Sequence, residues 1–246
     1  QNTISKRRRT MKRIIKISLI LLLVGMAVIA AVPFLKEKRA KRKYENDFKK
    51  IWESVTEKKS DVNGLVKKNK DCIGYVEIPG TTINYPVMQT KDNPDFYLNH
   101  DFNRNYSFYG TPYLSAYCDV KKSDGLIIYG HNINGGKMFG ALEQYKNKEF
   151  FYKHKKIYFT TDKKREYEVF AVMSVNIHEF EYWKFVMARN KEEHDEFIDK
   201  VEEHSLWRQG NKPKYGEQML MLSTCDNGKG DDWRIVVIGK RNMALW

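Results

Sequence analysis

The sequence predicts a mostly-β chain. Its main part closes into an eight-stranded barrel, with helices ahead of it and one helix between its sixth and seventh strands, all preceded by a single apolar helix that crosses a membrane. Three observations lead there. From Asp71 onward, short β-branched and aromatic runs alternate with turn residues, the texture of a closed or nearly closed all-β fold. Two interruptions, at 137–153 and 191–207, carry helical spacing instead. Near the N-terminus, 19 consecutive positions from Ile17 to Leu35 hold no charged residue, close to the ~20 that span a hydrocarbon core.

The organisation in order is a basic tail at 1–16, an anchor at 17–35, basic N-terminal helices at 36–70 and the barrel domain at 71–246. Met11-Lys12-Arg13 reads as a natural start, which makes residues 1–10 an extension ahead of it. A cleaved signal peptide is the competing reading of the apolar run, with Val28-Ile29-Ala30 as a small-residue site. Signal cores are about 7–15 residues long, so an uncleaved anchor fits better. Lys6, Arg7, Arg8, Arg9, Lys12, Arg13 and Lys16 flank it on one side and Lys36, Lys38, Arg39, Lys41, Arg42 and Lys43 on the other. Charge therefore does not orient the anchor. The same clusters explain the formal charge of +13: residues 1–43 hold thirteen Lys or Arg and one acid, Glu37, a net +12 that leaves +1 for the remainder. The globular part is close to neutral, and no nucleic-acid footprint follows.

After the anchor, Phe48, Ile51, Trp52 and Val55 form the stripe of an amphipathic helix, read as packing on the domain rather than lying on lipid. Ser60 or Asp61 caps a second helix with Val62, Leu65 and Val66 inward. The predicted strands are Ile73–Ile78, Thr82–Met88, Gly110–Leu114, Leu126–Tyr129, Lys156–Thr160, Glu166–Val175, Gln218–Ser223 and Arg234–Lys240. Lys137–Tyr145 reads as a helix and Asn147–Lys153 as a turn, and Lys191–Trp207 as a helix with Phe197, Ile198, Val201 and Leu206 in its stripe.

The chemistry gathers at strand ends. Met221-Leu222-Ser223-Thr224-Cys225 ends an apolar run in a thiol, Arg234 heads the next run, and Gly125–Gly130 delivers His131 at its exit. A thiol is only a few per cent thiolate at neutral pH, and an imidazole supplies the base or cation that a nucleophilic cysteine needs. Acyl transfer builds negative charge on the carbonyl oxygen, which a permanently charged guanidinium can meet with two fixed hydrogen bonds. Cys72 and Cys118 read as small buried side chains, with no disulfide framework and no C-x-x-C spacing. The glycines around Lys229 lack a P-loop's spacing, and no metal-ligand motif occurs, so no cofactor or metal is expected. The other histidines, His100, His154, His178, His194 and His204, read as solvated.

Leu222-Ser223-Thr224-Cys225 with Arg234, and Tyr129-Gly130-His131 upstream, resemble the signature of the sortases, membrane-anchored cysteine transpeptidases of Gram-positive bacteria. The resemblance runs from about Ile73 to Arg241 and includes Ile73–Gly80, Asn84–Val87 and Tyr97–Phe102. The helix between the penultimate strands and the N-terminal helices are similar to those of class B sortases. The resemblance implies a cytoplasmic N-terminus, an extracellular catalytic domain, and a substrate that is a secreted protein with a C-terminal sorting signal of the Asn-Pro-x-Thr-Asn or x-Pro-x-Thr-Gly kind. It implies Cys225 as nucleophile, His131 as acid and base, Arg234 as oxyanion and backbone contact, and an acceptor amine on a cell-wall precursor of the lipid II type. Leu98, Ser223 and Thr224 enter as substrate contacts by the same resemblance, and His100 lies in the segment Tyr97–His100 that in relatives borders the groove. Where some relatives carry an acid two places after the cysteine, this chain has Asn227, with Asp226 one place after. A peptidase that hydrolyses the same acyl-enzyme, and a silent tethered binding module, are the alternatives.

Overall fold

A computed structural model describes residues 62–242 without a break and, ahead of them, residues 16–26 and 29–36 with positions 38, 39, 42 and 46. The expected amphipathic helix through Phe48 and Val55, and the caps at Ser60 and Asp61, lie outside the described residues. The chain divides into two units, Gln1–Lys49 and Lys50–Trp246. In the first, one helix, Lys16–Lys36 (α1), is long and apolar enough among the described residues to cross a membrane, with a mean hydropathy of 2.7.

The described part of the second unit starts with a short helix, Val62–Lys68 (α2), that buries Val62 and Leu65 and leaves Val66 exposed. Eleven strands follow: β1 Cys72–Glu77, β2 Asn84–Met88, β3 Tyr113–Leu114, β4 Gly125–Tyr129, β5 Asn132–Ile133, β6 Lys137–Met138, β7 Lys156–Thr160, β8 Lys164–Asn176, β9 Ser205–Arg208, β10 Met219–Cys225 and β11 Trp233–Arg241. Eight of them close a barrel in the order β11-β10-β4-β3-β2-β1-β7-β8, and β8 returns to β11 in antiparallel register. All eight predicted strands are present, Lys156–Thr160 at its predicted ends and the other seven with at least one end shifted. The third shortens to Tyr113–Leu114 because Pro112 offers no N–H to a ladder, and Gly110 adopts φ +58, where a Cβ would lie 2.4 Å from the Leu98 carbonyl oxygen.

The barrel is filled by strands that read as nearly continuous apolar runs. Leu126–Ile128, Met219–Leu222 and Ile235–Ile238 are wholly buried, as expected where one face lines the barrel interior and the other lies under covering segments. Each such side chain contributes roughly 1.5–3 kcal/mol.

Three expectations are corrected. The helix predicted over Lys191–Trp207 ends at Glu203 (α4, Lys191–Glu203), and Ser205–Arg208 forms β9 against the later half of β8. Leu206 therefore leaves the helical stripe: along β9 half-buried Ser205 and Trp207 alternate with exposed Leu206 and Arg208, a period of two. The helix expected at Lys137–Tyr145 is the β5–β6 hairpin followed by a 3-10 segment, Gly140–Lys146. The turn at Asn147–Lys153 is a helix, Lys148–Lys153 (α3), whose N-cap Asn147 accepts a hydrogen bond from Phe150 N at 3.0 Å.

Candidate active site

The strand-end residues meet because of pairing order. β10 lies between β4, which runs parallel to it, and β11, which runs antiparallel. Ser223 pairs with Tyr129, and Gly130 N donates to the Ser223 carbonyl at 3.1 Å, so the exit of β4 and the end of β10 lie side by side. Cys225 pairs directly with Arg234 across β10 and β11. Directly opposed residues project to the same face of a sheet. The thiol and the guanidinium therefore share one side of the barrel rim.

All six predicted site residues, Cys225, His131, Arg234, Leu98, Ser223 and Thr224, line one groove of about 560 Å³ together with Asp95, Tyr113, Tyr117, Tyr129 and Trp183. Arg234 is the one permanent cation among the described residues lining it. Its Nη1 donates to the backbone carbonyls of Asp231 and, at 2.9 Å, Trp233, which fixes one nitrogen and leaves the rest of the fork for the groove. Cys225 is half-buried and unpaired with another cysteine. Cys72 and Cys118 are buried and free, and burial pushes the Cys72 thiol up to about 11 and the Cys118 thiol upward as well.

His131 Nε2 lies 2.8 Å from the Leu98 carbonyl oxygen. A carbonyl can only accept, so Nε2 carries a proton and Nδ1 is the nitrogen left to take up or release one. Leu98 thus orients the imidazole through its backbone. That contact leaves no mark on side-chain identity and could not be read from the sequence. Gly130 lets the strand exit beneath Phe139, since a Cβ there would lie 2.7 Å from the Phe139 ring.

Ser223 and Thr224 face the groove, but their hydroxyls are engaged elsewhere. Ser223 Oγ and the Tyr182 hydroxyl lie 2.7 Å apart in the interior, and Thr224 Oγ1 donates to the Gly130 carbonyl at 2.7 Å. Burial raises the Tyr182 hydroxyl to about 12. The amide that follows Cys225 is also occupied, with Asp226 N donating to the Trp233 carbonyl at 2.9 Å. The Asp226 side chain is fully buried and turned away from the groove. Its carboxylate accepts from Lys146 Nζ at 2.5 Å and Ser174 Oγ at 2.7 Å.

The Tyr97–His100 segment reaches the groove through Leu98, while His100 itself is half-buried, stacks on Phe96 with ring centres 3.8 Å apart, and its Nδ1 bonds the Phe96 carbonyl. One histidine expectation is corrected. His194 is buried, not solvated, against Phe185 and Tyr215. It shares the i, i+3, i+4, i+7 stripe of α4 with Phe197, Ile198 and Val201, so its position was legible from helical spacing.

Residues 76–242 match the model of the sortase domain family. The chain is 28% identical over 239 residues to sortase B of Staphylococcus aureus, covering 94% of this chain and 97% of that protein. It is 31% identical over 191 residues to sortase B of Listeria monocytogenes, covering 75% of each. Among solved structures, sortase B of Clostridium perfringens is similar at a TM-score of 0.68 and 31% identity, over 73% of this chain and 98% of that one. The Staphylococcus aureus sortase B-substrate complex is similar at 0.69 and 27%, over 85% and 98%.

Proposed function

The chain belongs to the sortase family, whose members are cysteine transpeptidases, and from that premise we propose that it cleaves a C-terminal sorting signal in secreted proteins and joins the new end to a cell-wall precursor amine, with Cys225, His131 and Arg234 carrying the reaction. One observation supports the assignment above the rest: thiol, imidazole and guanidinium line a single groove at the ends of three adjacent strands.

In this reading the Cys225 thiolate attacks the carbonyl carbon after the signal's threonine, forming a C–S bond. Negative charge on the former carbonyl oxygen meets Arg234, the groove's permanent cation, which needs no proton transfer to act. The C–N bond then breaks, the departing amine takes a proton from His131 Nδ1, and a thioester remains. An incoming amine attacks the thioester, returns a proton to Nδ1, and releases the thiolate, as microscopic reversibility requires. One amide is exchanged for another, so no external energy source is involved. Leu98, with the aromatic side chains of Tyr113, Tyr117, Tyr129 and Trp183, forms an apolar wall for a signal of the Asn-Pro-x-Thr-Asn or x-Pro-x-Thr-Gly kind. The α1 helix tethers the catalytic domain to the outer face of the cell membrane, close to lipid II-type acceptors.

The test is product analysis with the full chain in detergent micelles. A sorting-signal peptide is supplied with triglycine or a diaminopimelate-bearing stem, and mass spectrometry is expected to find the ligated product. Cys225→Ala is expected to abolish cleavage while keeping the parental β-sheet circular dichroism. Hydrolysis alone with every amine would replace transfer by peptidase activity, and cleavage by Cys225→Ala at the parental rate would remove the nucleophile assignment.

A further inference from the structure

A chain of polar contacts joins the residue after His131 to the residue after Cys225, the proposed acid–base and nucleophile. Asn132, which follows His131, donates from Nδ2 to the Cys225 carbonyl at 2.7 Å and to Glu143 Oε1 at 2.8 Å. The other Glu143 oxygen, Oε2, lies 2.8 Å from Lys146 Nζ, which is also 2.5 Å from Oδ1 of Asp226, the residue after Cys225. Asn227 Nδ2 closes the circuit to the Asn132 carbonyl at 3.3 Å. The two ends of this loop are 93 residues apart in sequence at the Asn132–Cys225 contact.

The charges are matched to hold. Burial alone would raise the Asp226 carboxyl, but Lys146 and Ser174 outweigh it and keep it below the usual carboxylate range. Lys146 loses solvation yet is pushed upward by Asp226 and Glu143. One ammonium thus sits between two carboxylates. Trp207 Nε1 donates to the Lys146 carbonyl at 3.0 Å and ties that backbone to β9. None of Asn132, Glu143, Lys146 and Asp226 lines the groove.

We infer that Asn132, Glu143, Lys146 and Asp226 form a positioning circuit that sets the Cys225 backbone against the His131 exit of β4, and so fixes the thiol-to-imidazole geometry without touching substrate. The inference rests on Cys225 and His131 being the reacting pair. Asp226 is then a structural anion committed to Lys146 and Ser174, rather than a carboxylate partner of the imidazole. Misplacing reacting groups by about 1 Å costs on the order of 100-fold in rate. Loosening the circuit should therefore lower kcat and spare KM, because the groove wall is untouched.

The experiment compares Asn132→Ala, Glu143→Gln, Lys146→Met, Lys146→Arg and the Asn132→Ala/Lys146→Met double variant as full chains in detergent. Two readouts are taken: kcat and KM for peptide transfer, and the pH profile of Cys225 alkylation by iodoacetamide, followed by peptide mass spectrometry. Alkylation needs no sorting peptide, so a wrong substrate assignment leaves that readout intact and shows itself separately as absence of transfer by the parent chain. Expected are a fall in kcat on the order of 10- to 100-fold in Asn132→Ala and Lys146→Met, KM within about twofold, an alkylation profile displaced from the parent's, and partial rescue in Lys146→Arg. The double variant should be no worse than the weaker single by more than about threefold, since members of one network are not additive. Glu143→Gln keeps the Lys146–Asp226 pair and the shape of the circuit, and guards against a variant that fails to fold. Parental kcat and alkylation profile in folded Asn132→Ala and Lys146→Met would overturn the inference, as would single-variant losses that multiply in the double.

Discussion

At the scale of single residues, the three cysteines separate by environment. Cys72 and Cys118 are buried, and burial raises both thiols. Only Cys225 opens on the groove. Near pH 8 a thiol-specific reagent such as dithiobis-nitrobenzoate should release one equivalent from the native chain and three after denaturation, all of the native label falling on Cys225. Rapid native labelling of two or more sites would contradict that separation. The thiol, the imidazole and the guanidinium were legible in the sequence because each ends or begins an apolar run, and a run of that kind announces a strand and its rim. The Leu98 carbonyl on His131 and the circuit through Asn132, Glu143, Lys146 and Asp226 were not legible. A backbone acceptor carries no residue signature, and an isolated Lys or Glu in a polar segment looks the same whether solvated or committed.

At the scale of elements, the site depends on β10 and β11 holding their ladder from Met219–Lys240 through Cys225–Arg234. Leu222, wholly buried on β10, pairs with Val237 on one side and Ile128 on the other. Leu222→Ala is expected to cost about 2–5 kcal/mol through lost burial and the cavity left behind. Urea unfolding should show it as a lower midpoint with an unchanged slope, and a loss below about 1 kcal/mol would mean the strand collapses around the gap. The strands were the readable elements, since runs of Val, Ile, Leu and aromatics bounded by turns have few other homes. The failures occur where elements are short. Six residues of α3 are defined by the Asn147 cap rather than by periodicity. Four residues of β9 follow α4 so closely that Leu206 falls on both a helical and an alternating template.

At the scale of the whole molecule, the ion pair of buried Asp226 with half-buried Lys146 links folding to pH. A carboxyl held low in the folded state contributes stability that is present above its unfolded value of ~3.9 and disappears as pH falls through the folded one. An ammonium held high contributes below its unfolded value of ~10.4 and loses that contribution as pH rises through the folded one. Asp226→Asn removes the first contribution. Lys146 is partly exposed and keeps Glu143, so Asp226→Asn leaves no buried charge unpaired, and the cost is expected to fall below the about 3–5 kcal/mol of breaking a fully buried pair. The gap in unfolding free energy between parent and variant should be widest near neutral pH and close below about pH 4. A gap that stayed constant into acid would show that the pair does not drive the difference.

The parallel pairing of β4 with β10 has a temporal side. Antiparallel neighbours can join through a tight hairpin, but β4 and β10 meet only after the chain between them, through β9, has been threaded around the barrel. Contacts of such long sequence separation are slow to form, because loop-closure entropy must be overcome before they stabilise anything. Imidazole and thiol come from opposite sides of that connection, so a nascent or half-folded chain carries both without uniting them. Competence arrives with ring closure, and an immature copy has no assembled centre.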